Sequence, residues 1–333
     1  MTCSLVTGGA GFLGSHVAEE LAGLGHEVHV VDDLSGGFQD NVPAAARFHE
    51  GSVSDAEFVA GLFSRVRFDY VFHLAAYAAE GLSHFIRRFN YVNNVIGSVN
   101  LIDAAVNGNV KCFVFTSSIA AYGEAPLPMT EDMVPRPVDP YGIAKYAVEL
   151  DLAAAHALFG LKSIVFRPHN VYGERQNIGD RYRNVIGIFM NQILQGKPMT
   201  VFGDGEQTRA FTHIGDVAPV IARSVASAQA ENQVFNVGAD IPYSVNRLAA
   251  YVARAMGVEP RVVHLPARHE VVDAYSSHEK ARRLLGYEAG IGLEEGIARM
   301  AAWVRRHGAR KSKPFADIEI ARSLPAGWLE KED

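Results

Sequence analysis

The sequence predicts an α/β protein: a doubly wound parallel sheet followed by a smaller α/β C-terminal domain. Three observations predict it. Short apolar runs at residues 5–6, 27–31, 47–50, 70–74, 111–116 and 163–167 alternate with helical patterns through the first half of the chain. The first run opens into a glycine-rich turn, with Gly8, Gly9, Gly11 and Gly14, from which a helix starts at Phe12. After Pro168 the rhythm loosens, and proline and glycine become frequent.

Each element has a local reason. Leu5 and Val6 suit a short buried strand, and residues 12–24 carry apolar positions at helical spacing. The second strand ends at Asp32. A third short strand follows at 47–50, and then a helix at 56–63 behind an Asp55 cap. The run 70–74, Y-V-F-H-L, is apolar enough to be covered on both faces, as a parallel strand is. Long helices are expected at 91–107, closed by Gly108, and at 141–159, on either side of the strand 111–116. Beyond Pro168, strands at 199–202, 234–236 and 261–264 mix with helices at 184–194, 217–227, 245–256 and 293–306. The reading is a sheet domain over 1–168 and a smaller domain over 169–308 that closes over its cleft. Residues 209–230 are expected to pack back on the sheet. Residues 309–333 form a tail that is either disordered or wraps a neighbour.

Composition narrows the class. At 333 residues the chain can bury a large core. A net charge of −6 without a basic block argues against nucleic acid as partner. No apolar run approaches the roughly 18–20 residues that span a bilayer. The start, M-T-C-S-L-V, runs directly into the first strand without a basic leader, so a cytoplasmic location is expected. Cys3 and Cys112 lie in apolar strand patterns and read as buried thiols of a reducing compartment. The 13 histidines show no metal-ligand spacing, and no metal site is expected.

Strand, glycine turn and helix together form the Rossmann-type geometry that holds a dinucleotide pyrophosphate. Glycine adopts the turn conformation that a side chain forbids, and lets the backbone approach the phosphates. The helix N-terminus offers unpaired N–H groups to the anion. Such a turn also occurs as a plain tight turn; the second strand ending in a carboxylate separates the two readings. Asp32 can accept from both adenosine ribose hydroxyls and would repel a 2′-phosphate. No Arg or Lys lies between Asp32 and Arg47, so NAD is favoured over NADP.

Two further stretches carry chemistry. Tyr141 and Lys145 stand at i and i+4 on the second long helix, which puts phenol and ammonium on one face. A phenol titrates at about 10 and is a poor base at neutral pH. A nearby ammonium and a bound nicotinamide cation are expected to lower that value, so that Tyr141 can take a proton from a hydroxyl. Residues 115–118, F-T-S-S, end the fifth strand at the carboxyl edge of the sheet, where Ser118 can hydrogen-bond a reacting oxygen. A Tyr and a Lys four apart occur by chance on many helices. Their order and spacing with the glycine turn, the acid and the hydroxyl strand end is what carries weight.

As a set, T-G-G-A-G-F-L-G, Asp32, His73-Leu-Ala-Ala76, Ser117-Ser118, Tyr141–Lys145 and Arg167-Pro-His-Asn-Val-Tyr-Gly173 resemble the extended short-chain dehydrogenases/reductases that act on nucleotide sugars. The resemblance covers about residues 3–306 and is strongest to the UDP-sugar 4-epimerases. It implies a catalytic set of Ser118, Tyr141 and Lys145. It implies that Gly8, Gly11, Phe12, Leu13 and Asp32 hold the adenosine and pyrophosphate of NAD. Asp33 would lie beside the ribose, Ser52 and Val53 at the adenine, and Leu74, Ala75, Ala76, Asn93, Thr116 and Pro168 along the path to the nicotinamide. The smaller domain would bind the substrate, a nucleotide-diphosphate sugar with UDP favoured. Asn170, Arg209 and Arg268 would stand at its phosphates, Glu270 at its ribose and Glu80 near its sugar. Hydride would pass from sugar C4 to NAD, the 4-keto sugar would turn, and hydride would return to the other face. A C4 dehydrogenase or 4-ketoreductase is the alternative on the same fold.

Departures from the pattern narrow the reaction. Dehydratases of this kind carry an Asp-Glu pair just after the strand-five hydroxyl, the decarboxylases a Glu and the 3,5-epimerases a Cys; here Ile119 and Ala120 can move no proton. Glu80 and His169 are unusual and read equally as sugar-pocket residues or as satisfied structural groups. The resemblance also implies a homodimer through the helices 91–107 and 141–159, whose outer positions include Leu150, Ala153, Ala154 and Ala157.

Overall fold

The computed structural model describes residues 1–180, 182–267, 273–309 and 318–325. Its centre is a seven-stranded parallel sheet. The strands are β1 (Cys3–Thr7), β2 (Glu27–Asp32), β3 (Arg47–Glu50), β4 (Tyr70–His73), β5 (Cys112–Thr116), β6 (Ser163–Pro168) and β7 (Gln233–Val237). Their spatial order is β7-β6-β5-β4-β1-β2-β3. The order reverses between β1 and β4, so the connections leaving these two strands diverge and a crevice opens at their carboxyl ends.

Both faces of the sheet are covered. On one, α1 (Phe12–Gly23) brings Val17 and Leu21, and a later helix, Ile214–Arg223, brings Val217 and Ile221, against Val6, Val30, Phe72 and Phe166. On the other, α2 (Ala56–Arg65), α3 (residues 87–107) and α4 (Pro140–Phe159) bring Leu62, Leu101, Val148 and Leu152 against Leu5, Val71, Phe113 and Phe115. Leu5 and Val6 thus point to opposite cores, the period-two alternation of a strand buried on both sides.

A second cluster forms the smaller layer. Helices α5 (Val185–Leu194), α6 (Ile214–Arg223, as above), α7 (Val245–Met256) and α8 (Leu293–His307) follow in the chain. Phe189, Leu248, Val252, Ile297 and Met300 from α5, α7 and α8 surround the parallel strand pair Met199–Phe202 and Val262–Leu265. A small three-stranded sheet, Thr208–Ala210 with Pro242–Ser244 and Asp273–Ala274, lies beside it.

Three elements differ from the sequence reading. The strand expected at 234–236 is β7; it pairs with β6 in the central sheet, so the chain returns to that sheet beyond residue 230. The helix expected at 217–227 starts at Ile214, where the His213 ring accepts from the Gly215 N–H, and ends at Arg223. The helix expected at 91–107 starts at Arg87 and passes through a π-helical turn, Val92–Ile96. At this early start a carboxylate far away in sequence, Glu319, accepts from the Arg88 and Phe89 N–H groups. That residue belongs to the tail. Residues 318–320 lie against this chain's own residues 79–89, so this part of the tail is ordered on its own chain. Pro314, Phe315 and Trp328 lie outside the described residues.

Candidate active site

A cavity of about 580 Å³ runs from the carboxyl ends of β1 and β4 to the smaller layer. Its first wall is the β1–α1 turn. Gly8 has φ +70°, and a Cβ there would lie 2.7 Å from the Ala75 nitrogen. A Cβ on Gly14 would lie 2.1 Å from the Gly8 carbonyl oxygen, which already accepts from the Gly11 N–H at 3.0 Å. The turn can therefore be built only without side chains at these points. Among the described residues no side chain caps the N-terminus of α1, and no acid stands in its first turn, so its leading N–H groups and dipole suit an anion.

Asp32 is fixed at the end of β2. Its Oδ2 accepts from the Ala10 N–H at 3.0 Å and its Oδ1 from the Leu34 N–H at 2.8 Å, while burial pushes its carboxyl above the usual range. Each oxygen keeps a lone pair for a ribose hydroxyl. Asp33 accepts from the Ser35 N–H, and Ser52 is bonded to Ser54. Asp33, Ser52, Val53, Leu74, Ala75, Ala76, Asn93, Thr116 and Pro168 all line the same cavity as Gly8, Gly11, Phe12 and Leu13. The glycine cradle, the uncapped helix and the carboxylate fit a dinucleotide with free ribose hydroxyls.

The wall between β1 and β4 is locked by His73. Burial, aided by the Lys145 charge, pushes its ring down to about 3, so it is neutral. Ser98 Oγ donates to the Asn94 carbonyl, so the ring donates from Nε2 to Ser98 and accepts at Nδ1 from the Thr7 hydroxyl, at 2.8 and 2.7 Å. One side chain thereby ties β1, β4 and α3 behind the cavity.

The reactive groups meet at the middle. Asp139 caps α4 by accepting from the Gly142 N–H, and Pro140 occupies the first helical position, which presents Tyr141 at the cavity wall. Ser118 caps the short turn Ile119–Tyr122 and is hydrogen-bonded to the Tyr141 phenol. Lys145 lies with Nζ 5.8 Å from the Tyr141 ring centroid and donates to the Thr116 carbonyl at 2.7 Å. Burial pushes this ammonium down to about 7, against the pull of Glu149.

The expected lowering of the Tyr141 phenol is not found in the protein by itself. Burial pushes it well up; the Ser118 hydrogen bond opposes this, and the Glu80 and Asp139 charges add to it. The phenol's own burial is the largest effect, and the Lys145 ammonium, itself desolvated, donates to the Thr116 carbonyl.

Behind Lys145 stands a group that sequence reasoning missed. Glu149, one turn further along α4, accepts from the Ser117 hydroxyl and is gripped by Arg167, whose Nε donates to Oε1 at 2.9 Å and whose Nη2 donates to Oε2. The guanidinium also lies 4.5 Å above the Tyr122 ring. A Glu four residues after Lys145 on a buried helix face, and an Arg in an apolar strand, were the available signals.

At the far end, Asn170 adopts φ +44° and donates to the Ala210 carbonyl at 3.0 Å, while Arg209 donates to the Thr208 carbonyl at 2.8 Å. Both line the cavity, as do Glu80 and the pair Tyr77 and Arg183, whose guanidinium lies 4.8 Å above the Tyr77 ring. Neither Tyr77 nor Arg183 was singled out from the sequence. Arg268 and Glu270 lie outside the described residues. His169 turns away from the site: it is buried, stacks on His278 at 5.1 Å, and bonds Ser276 and the Ala239 carbonyl. Among the described residues, no group of three His, Cys, Asp or Glu side chains can hold a metal.

With this geometry in place, the family model described as "NAD dependent epimerase/dehydratase family" matches residues 4–238. The chain belongs to this family. Its relatives include the UDP-glucose 4-epimerase of Mycolicibacterium smegmatis, 34% identical over 311 residues, which cover 91% of this chain and 98% of that protein. The crystal structure of UDP-glucose 4-epimerase with UDP-glucose from Thermotoga maritima is similar at a TM-score of 0.87 and 36% identity, covering 92% of this chain and 99% of that one. The Thermus thermophilus UDP-glucose 4-epimerase complex with NAD is similar at 0.86 and 33% identity, covering 91% and 99%. The family match reaches from the second residue of β1 to just past the end of β7.

Proposed function

We propose that this family member is an NAD-dependent nucleotide-sugar 4-epimerase. The observation that carries the reading is a single cavity. Ser118, Tyr141 and Lys145 meet in it between a glycine cradle and Arg209, and Ile119 and Ala120 beside them have no acid or base to offer. The relatives named UDP-glucose 4-epimerase support both the reaction and a UDP-sugar as substrate.

Gly8, Gly11, Phe12, Leu13 and Asp32 would hold the dinucleotide, and Lys145 its nicotinamide ribose. Bound NAD would supply the hydride acceptor and donor, and its positive charge would offset the burial that keeps the Tyr141 phenol protonated. Tyr141 takes the proton from the sugar C4 hydroxyl as the ketone forms, and returns it when the ketone is reduced. Ser118 donates to the same oxygen and steadies its charge. Asn170 and Arg209 hold the diphosphate, Arg209 through its planar fork, so the sugar can turn while its anchor stays in place.

Purified protein is expected to contain NAD and to interconvert UDP-glucose and UDP-galactose with no net absorbance change at 340 nm. Stoichiometric accumulation of reduced cofactor would instead identify the dehydrogenase. Tyr141→Phe is expected to lower kcat by about 10³-fold with NAD still bound; full activity in that variant would refute the assignment.

The same reading includes a homodimer. Ile96 on α3 and Ile143, Leu150 and Leu158 on α4 are exposed apolar side chains on the two helices expected to pair. A solution mass near twice 36.2 kDa would support it. A cytoplasmic location accords with the buried free thiols Cys3 and Cys112, and cell fractionation would check it. No helix among the described residues is long and apolar enough to cross a membrane.

A further inference from the structure

We propose that residues 318–320 act as an intramolecular strap that holds the sugar end of the cavity, with Glu319 as its positioning residue. The proposal rests on the functional reading above only in taking that end of the cavity as the place of the sugar.

Four hydrogen bonds tie the strap to one short stretch. Glu319 Oε2 accepts from the Arg88 N–H at 2.7 Å and Oε1 from the Phe89 N–H at 2.8 Å. The Glu319 and Ile320 N–H groups both donate to the Phe85 carbonyl, at 2.9 and 3.1 Å. Helix α3 begins at this stretch, and the residue before it, Ile86, has no side chain able to cap it. Glu319 therefore supplies from the far end of the chain the cap that α3 lacks, and places a negative charge at the positive end of the helix. Beside it, Ile318 packs on the cluster of Ala79, Leu82 and Ile86, which also takes in Phe89 and Tyr182.

What the strap holds is the wall of the site. Tyr77, Glu80, His84, Phe89 and Tyr182 all line the cavity. The same stretch is bonded to the start of α4: Ser83 Oγ accepts from the Tyr141 N–H at 3.2 Å, and Asn90 donates to the Pro140 carbonyl at 2.9 Å. Among the described residues the strap is not bonded to the β1–α1 cradle, so a larger effect is expected at the sugar end than at the adenosine end. The Thermotoga structure is matched over 99% of its length but only 92% of this chain, so this chain carries residues with no counterpart there.

The test uses the full-length protein with Glu319→Ala, Glu319→Lys and Glu319→Gln. In Glu319→Ala, amide exchange at Arg88 and Phe89 should quicken at least about threefold, the size expected for loss of an exposed helix-terminal charge and its bonds. KM for UDP-glucose should rise about threefold, with kcat and bound NAD changing less. Glu319→Lys should raise KM by about tenfold, because it reverses the charge at the helix end, and Glu319→Gln, which keeps one acceptor, should fall between wild type and Ala. Unchanged exchange at Arg88 and Phe89 would overturn the strap. So would faster exchange with KM unchanged, or an equal loss of NAD. If wild type turned over no nucleotide sugar, the functional reading would fail, while the exchange measurement would still judge the strap.

Discussion

The glycine end of the cavity is built where β1, β2 and β4 leave the sheet, whereas the opposite end is built from residues 77–89, 182–185, 200–211 and 274, all outside it. At the first end, positions are set by backbone: Gly8 packs on Ala75, Gly14 on Gly8, and Asp32 is held by two N–H groups. At the second, positions are relayed by side chains, from Glu319 to α3, from Asn94 to Tyr77 and from Asp180 to Arg183. The lesson is that the two ends should fail differently. A backbone-built wall tolerates no added atom, while a wall held by side chains loses grip by degrees.

The strongest test of that contrast is Gly14→Ala. A methyl group placed 2.1 Å from the Gly8 carbonyl oxygen forces the turn apart. The variant should lose NAD from the purified protein and about 2–4 kcal/mol of stability, read by cofactor absorbance and denaturant unfolding. A variant that keeps its NAD would show that the cradle yields, and would erase the distinction.

Arg209→Ala should act at the other end alone. Removing its charged contacts to a diphosphate should raise KM for the UDP-sugar by about 10- to 100-fold, with NAD content unchanged and kcat within a few-fold. Initial-rate kinetics and cofactor content measure it. A drop in bound NAD would mean that the two ends are coupled more tightly than their construction implies.

A smaller effect sharpens the middle, where the ends meet. Burial pushes the Lys145 ammonium down to about 7, against about 10.4 for an exposed lysine. Below pH 7 both folded and unfolded chains carry the charge, and the folded one bears the full cost of burying it. Between about 7 and 10 the folded state sheds the proton first, so that cost disappears as pH rises. Lys145→Met should therefore be more stable than wild type by on the order of 1 kcal/mol at pH 6, with the gap closing toward pH 10. A gap that widens with pH would reverse the sign of the burial argument.

Much of the first end was legible in the chain. The β1–α1 turn, Asp32 and the Tyr141–Lys145 pair are each contained within a strand, a turn or one helical turn, so spacing alone determines their geometry. The contacts that tune them are long-range. Ser117 just past β5, Glu149 on α4 and Arg167 on β6 meet only because the parallel sheet stacks them. The state of Tyr141 was misread for the same reason: two residues one turn apart reveal proximity, but not that the ammonium is turned toward Thr116 and that both groups are dry.

By itself the sequence determined the alternating α/β order, the glycine cradle, the carboxylate that meets a ribose and the phenol–ammonium pair, because each depends on periodicity or on the steric limits of a few adjacent residues. Only the tertiary structure decided that β7 joins the central sheet, that His169 faces the core while Arg183 and Tyr77 face the cavity, and that Glu319 meets the start of α3. Those outcomes depend on which surfaces meet across the chain, and burial and hydrogen-bond pairing between distant residues leave no local pattern to read.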